Sequence, residues 1–255
     1  LLVVAMAGLS LGIENFANPQ HNLLWNLALI LAGGIAAAYY ARHAHTHQNA
    51  LFRSDLFKNR LYAIGILGNF FARFGGNAMP FIMPIMLQVA FGFEPFITGL
   101  MMIPTVLGSL LSKPIIRPLI QRFGYRQFLL TNTLLVGACI ASFSLTTAET
   151  ATWLRALHFF IFGVLNSLQF VGMNTFTLKD LPQQDASSGN SFLSMIMMLS
   201  MSIGVALAGT LVNMFSTYYG AGQLVSAFHA TLICLGVLNI LAFLVFWNIP
   251  KHTAV

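Results

Sequence analysis

Long apolar runs alternate along this chain with short gaps, and the gaps alternate in charge. The runs cover 23–41, 61–91, 96–116, 128–147, 153–178, 191–215 and 228–247. Each is near or above the roughly 20 residues a helix needs to cross the hydrocarbon core of a bilayer. Ten of the twelve Lys and Arg residues fall in, or at the edge of, every second gap. They gather at 42–60 (Arg42, Arg53, Lys58, Arg60), at 113–126 (Lys113, Arg117, Arg122, Arg126), at Lys179 and at Lys251. The intervening gaps hold Glu14, Glu94 and Glu149. Basic gaps stay on the cytoplasmic side of a membrane, so this pattern predicts an all-α, polytopic membrane protein and orients it. Only Arg73 and Arg155 break the alternation.

The scarcity of charge agrees. Charged residues are 7% of the chain, against about 25% in soluble domains, and the mean hydropathy is +0.78. A soluble fold of this size has too few charges here to cover its surface. The net charge of +6 therefore reads as topology rather than as nucleic-acid binding. Cys139 and Cys234 both lie inside apolar runs, where thiols act as small apolar groups. The sequence holds no nucleophile–base pair, phosphate loop or metal motif. The expectation is a protein that is not an enzyme and uses no cofactor and no metal. His43, His45 and His47 alternate, but without Cys or carboxylate at ligand spacing they point to adventitious metal binding or none.

Residues 1–13 form an apolar run too short to span, with no basic leader. They read as the end of a helix whose beginning is absent. Residues 1–41 then form a transmembrane hairpin through an outward turn at 14–22, and 42–60 is a cytoplasmic linker. A bundle of six spans fills 61–248, and 249–255 is a cytoplasmic tail. Gly75, Gly76, Pro80, Pro84, Pro104 and Gly108 are expected to bend their helices around a cavity. Ser200, Gly204 and Ala208 recur every fourth residue, a stripe that lets two helices approach closely. Six spans after a long inward linker suggest one half of a two-half transporter.

Polar residues inside the spans narrow the mechanism. All six Asp and Glu lie in gaps or at span edges, so no mid-membrane carboxylate is available to carry a proton. Arg73 lies about 20 Å into its span at 1.5 Å per residue, near mid-depth. An Arg there costs about 2.5–3.5 kcal/mol on insertion scales, so it faces protein or water. Asn69 and Asn77 lie about 40° to either side of it on the helical wheel. Two readings stay open: a charge that locks helices together, or one that lines a cavity. On the 153–178 run, Arg155, His158, Asn166 and Gln169 share an arc of about 80°. His158 titrates near neutral pH and is either a proton carrier or a hydrogen-bonded structural residue. The cavity set is Asn69, Arg73, Asn77, Asn166 and Gln169, with His158 beside it. Met195–Met201 adds an adaptable apolar wall or simply core.

Two segments carry a resemblance. Residues 99–104 (Gly-Leu-Met-Met-Ile-Pro) and 118–126 (Pro-Leu-Ile-Gln-Arg-Phe-Gly-Tyr-Arg) resemble the region of major facilitator transporters that ends in the inward loop pattern G-x-L-x-D-R-x-G-x-R. Leu119, Arg122, Gly124 and Arg126 match it; Arg117 replaces the first Gly and Gln121 the acidic position. The segments 173–182, 186–191 and 199–205 are similar to the fourteen-helix drug/proton antiporter branch (EmrB/QacA type) and most similar to MdtD-type transporters. In that branch two linker helices separate two six-helix bundles, which matches a hairpin, an inward linker and six spans.

The resemblance implies proton-driven export of amphipathic small molecules, multidrug efflux, across the bacterial cytoplasmic (inner) membrane. The implied partners are the substrate, protons, the bilayer and a missing N-terminal six-helix bundle that holds the coupling acids. The proton gradient is then the energy source. An unpaired Arg73 repels cations, which points to a neutral or anionic substrate unless an acid elsewhere neutralises it. Arg122, Gly124 and Arg126 are expected to shape the inward loop, the glycine permitting the turn and the arginines meeting helix C-termini or headgroups. The alternative is a membrane scaffold or subunit that transports nothing and binds a partner through its helices.

Overall fold

The structure is a computed structural model and describes residues 8, 23–46, 54–220 and 222–250. Helix α1 (Leu23–Thr46) precedes a 3₁₀ turn (Ser54–Lys58), followed by α2 (Arg60–Phe71) and α3 (Phe74–Ile85). A π-helical turn (Met86–Ala90) ends α3, and α4 (Pro95–Ser142) leads into a second 3₁₀ turn (Phe143–Leu145). The chain finishes with α5 (Thr152–Leu178), α6 (Gln183–Tyr219), α7 (Leu224–Leu241) and α8 (Phe243–Trp247). No strand occurs among the described residues. The expected turn at 14–22, the tail beyond Pro250 and the side chains of His43, His45 and His47 lie outside the described residues. Gly8 is buried against α1, where a Cβ would meet the Leu29 carbonyl at 2.8 Å and the Gly33 Cα at 3.0 Å.

Among the described residues, four helical stretches are long and apolar enough to cross a membrane: Pro95–Leu145, Thr152–Leu178, Gln183–Tyr219 and Leu224–Trp247. The first makes two crossings. In its first limb (95–123) Thr105 meets Gly163 and Ser109 meets Ser167, so both chains ascend together. In its second limb (125–142) Asn132 meets Gln169 and Ser142 meets His158, so the order is reversed. The reversal happens at Gly124 (φ 72°, ψ 159°), a backbone conformation nearly closed to any residue with a Cβ. Adding the broken stretch 60–90 gives six crossings after α1.

The inward basic stretch at 113–126 is mostly helical. Helix persists through Phe123, and the loop shrinks to the turn at Gly124. The cause is amphipathicity: Ile116 and Ile120, one turn apart, are buried in the core, while Lys113, Arg117 and Gln121 occupy the exposed face. Counting charges marked the exposed stripe but hid the apolar one.

Two cores hold the bundle. At the end carrying Glu94 and Glu149, Met79, Met83, Val136, Phe143, Phe159 and Phe228 pack together. At the opposite, basic end, Ile64, Ile120, Phe128, Leu168, Phe176 and Phe246 do the same. Between α4 and α5 the backbones nearly touch: a Cβ on Gly108 would collide with the Phe160 carbonyl and one on Gly163 with the Thr105 carbonyl. The stripe Ser200, Gly204 and Ala208 is fully inside, and Gly204 lies against the backbone of Phe74, where a Cβ would come within 2.7 Å of its carbonyl. Outward, Leu24, Trp25, Leu31, Ile35 and Tyr39 of α1 remain exposed apolar side chains, as a multi-pass membrane protein requires. The bundle is thus an all-α membrane fold.

Candidate functional site

The first span of the bundle is in two pieces. Helix α2 stops at Phe71, α3 starts at Phe74, and Ala72 and Arg73 form the joint. The sequence predicts bending here at Pro80 and Pro84, yet both lie inside α3, downstream of the break. At the joint, carbonyls leave the helical ladder and neighbours take them up. Ser200 Oγ donates to the Phe70 carbonyl at 2.7 Å, and Asn239 Nδ2 donates to the Ala72 carbonyl at 2.7 Å. Membrane helices break only where such groups are re-satisfied. Helices α6 and α7 therefore hold the joint open.

Arg73 occupies that joint and is 4% exposed. Its Nε donates to Asn69 Oδ1 at 2.9 Å and its Nη2 to Asn174 Oδ1 at 3.0 Å, while Cζ lies 4.2 Å from the centre of the Phe170 ring. The Asn69 amide is fixed in turn: Nδ2 donates to the Gly65 carbonyl (3.0 Å) and to Thr177 Oγ1 (2.9 Å). The guanidinium is thus satisfied by amide oxygens and an aromatic face. No carboxylate among the described residues compensates its charge, and Phe170, whose ring it meets, is 42% exposed.

The other expected site residues divide into two groups. Asn77 and Asn166 are half-buried, and neither side-chain amide makes a hydrogen bond within the described residues. Asn166 Oδ1 lies over Gly76, where a Cβ would come within 2.6 Å of it. These two amides remain open to a ligand beside Arg73. Gln169 and His158 face elsewhere. Gln169 is 2% exposed, accepts from Asn132 Nδ2 at 2.7 Å and donates to Thr133 Oγ1 at 2.7 Å, joining α5 to the second limb of α4. His158 stacks on Phe143 at 3.7 Å, with Nε2 2.8 Å from Ser142 Oγ and 3.3 Å from the Cys139 carbonyl. Arg155 is buried at the acidic end, where Nη2 donates to the carbonyls of Thr147, Ala148 and Thr150 and holds the α4–α5 connection.

Of the inward-loop residues, Leu119 packs on the basic-end core and Gly124 makes the reversal. Arg126 donates from Nη2 to the Trp247 carbonyl at 3.3 Å and lies 5.1 Å from that ring. It therefore sits on the C-terminal end of α8, where a cation is favoured. Arg122 is exposed and stands over the neighbouring Phe123 ring at 5.6 Å.

Asn174, Phe170 and Thr177 escaped the sequence reading. Their signal was present: Asn166, Phe170, Asn174 and Thr177 follow at spacings of four, four and three on one face of α5. Among the described residues no three His, Cys, Asp or Glu side chains gather as a metal site would need.

Comparison with known proteins places this geometry. The profile of the Major Facilitator Superfamily matches residues 65–254. The chain is 42% identical over 258 residues to the candidate multidrug resistance protein MdtD of Citrobacter koseri. It is 40% identical to those of Serratia proteamaculans and Escherichia coli. Each alignment covers 99% of this chain and 54% of the relative, so the chain spans about half the length of the curated relatives it matches. The crystal structure of the nucleoside transporter NupG superposes with a TM-score of 0.57 at 15% identity, over 88% of this chain and 61% of that one. That likeness concerns the fold.

Proposed function

Because the chain belongs to the Major Facilitator Superfamily, we propose that it forms the C-terminal half of a proton-coupled secondary transporter that exports amphipathic small molecules. Residues 1–41 are the linker hairpin, 61–248 the C-terminal six-helix bundle and 249–255 a cytoplasmic tail. The basic end faces the cytoplasm, and the protein resides in the bacterial cytoplasmic membrane. It works as a carrier, not an enzyme, and the proton gradient replaces any cofactor.

The observation that carries this reading is the uncompensated Arg73 at a broken helix, flanked by the open amides of Asn77 and Asn166. A break at mid-depth beside polar groups is where secondary carriers bind substrate, and one half then rocks against the other around it. The spans hold no Asp or Glu, so the coupling carboxylate belongs to the N-terminal half. Arg73 favours a neutral or anionic substrate, or pairs with that carboxylate when the halves close.

The test is efflux of a fluorescent amphipathic dye from cells producing the gene product that contains this chain. Arg73→Ala is expected to abolish export while membrane levels stay normal. Unchanged export at equal protein amounts would remove Arg73 from the substrate path.

A further inference from the structure

A second polar feature lies away from the Arg73 joint, on the far side of α5. Between the first limb of α4 and α5, at the basic end, is a groove of about 650 Å³. Its polar edge is Lys113, Arg117 and Gln121, spaced one helical turn apart on the exposed face of α4. Its floor is Ile116, Ile120 and Val171. No carboxylate lines it. Tyr125 also lines the groove, and Lys179 Nζ lies 5.0 Å from its ring.

We infer that this groove binds the phosphate headgroup of an anionic membrane phospholipid, with the first part of its acyl chain along the apolar floor. Three arguments point there. First, like charges four residues apart on a helix repel, and no carboxylate of the described residues bonds to Lys113 or Arg117; an anion between them removes that repulsion. Second, the depth is right. Lys113 and Arg117 lie about 27 and 33 Å along α4 from Pro95 at 1.5 Å per residue, which brackets the far face of a hydrocarbon core about 30 Å thick. That is headgroup level, on the side where basic residues meet anionic lipid. Third, the groove is amphipathic in one direction: its cations and amide line one edge and its aliphatic side chains the floor, as a lipid rather than an inorganic ion requires. The site is independent of substrate transport at Arg73.

The experiment is native mass spectrometry of the purified gene product that contains this chain, in neutral detergent, titrated with phosphatidylglycerol, phosphatidylcholine or dodecyl phosphate. The wild type is expected to retain phosphatidylglycerol in preference to phosphatidylcholine. Lys113→Gln combined with Arg117→Gln should lower its occupancy about tenfold or more. Arg60→Gln, which removes an exposed cation of α2 outside the groove, should leave it unchanged. If the double variant folds poorly by thermal unfolding, the exchange Lys113→Arg with Arg117→Lys is used instead and should retain the lipid, while Lys113→Gln alone should lower it. Equal loss in Arg60→Gln would reduce the effect to diffuse surface charge and overturn the site. Equal retention of both phospholipids would overturn it too. Binding of dodecyl phosphate without phosphatidylglycerol would reassign the groove to a free anionic amphiphile and overturn the lipid.

Discussion

The guanidinium carbon of Arg73 lies over Phe170, 4.2 Å from the ring centre, while two of its nitrogens bond Asn69 and Asn174. Only a planar, multi-pronged cation meets three partners in this arrangement. Arg73→Lys keeps the charge and loses the fork and the stack. Its initial rate of dye efflux, normalised to membrane protein, is expected to fall at least tenfold. Phe170→Leu removes the cation–π contact alone, worth about 0.5–2 kcal/mol, and should fall between the two. A Lys variant as fast as wild type would mean that charge alone matters at this position.

The joint that presents Arg73 depends on side chains from two other helices. Asn239→Leu leaves the Ala72 carbonyl buried without its donor, and Ser200→Ala does the same to the Phe70 carbonyl. Each loss costs about 1–3 kcal/mol. Thermal unfolding in detergent should show lower midpoints for both. The double variant should lose less than the sum, because both donors hold one joint. Ser194→Ala is the control: its hydroxyl bonds only the Asn190 carbonyl of its own helix, on an exposed face, and its midpoint should barely move.

Much of this was legible in the sequence because a bilayer leaves few options. Apolar length gave the helices long enough to cross. Arg73 and Asn69 were identifiable because they are polar at mid-depth and share a helix face. Their partners were harder to see, since a helical wheel places residues on a face and does not say which helix that face meets. Gln169 and Asn166 fall within one arc, yet one is spent on Asn132 and Thr133 while the other lies over Gly76. The break at Ala72–Arg73 carries no proline or glycine of its own. It is made by Ser200 and Asn239, more than a hundred residues away, and local sequence could not reveal it.

Gly124 is the one residue on which the reversal of α4 turns. At φ 72° and ψ 159° an added Cβ is strained even though no atom lies within 4 Å of it. Gly124→Ala should therefore cost about 1–3 kcal/mol through backbone strain alone. Gly99→Ala, at a helical position that is equally uncrowded, should be neutral or slightly stabilising. Thermal midpoints of the two variants, compared side by side, separate conformation from packing. Equal midpoints would mean that the turn relaxes to accommodate the methyl group.

His158 is the titratable side chain on the polar arc of α5, so its role bears on how protons enter the cycle. Its ring is parallel to Phe143, 3.7 Å away, and its Nε2 is engaged by Ser142 and the Cys139 carbonyl. A ring held on its face and at its edge ties α5 to the second limb of α4. His158→Gln is accordingly expected to leave the shape of the export–pH profile unchanged while lowering the thermal midpoint, with His158→Ala lower still. The measurement is dye efflux from about pH 5.5 to 8, the range over which an ordinary imidazole changes charge. A profile that flattens or shifts in His158→Gln, with protein levels intact, would make His158 a proton carrier and move part of the coupling machinery into this half.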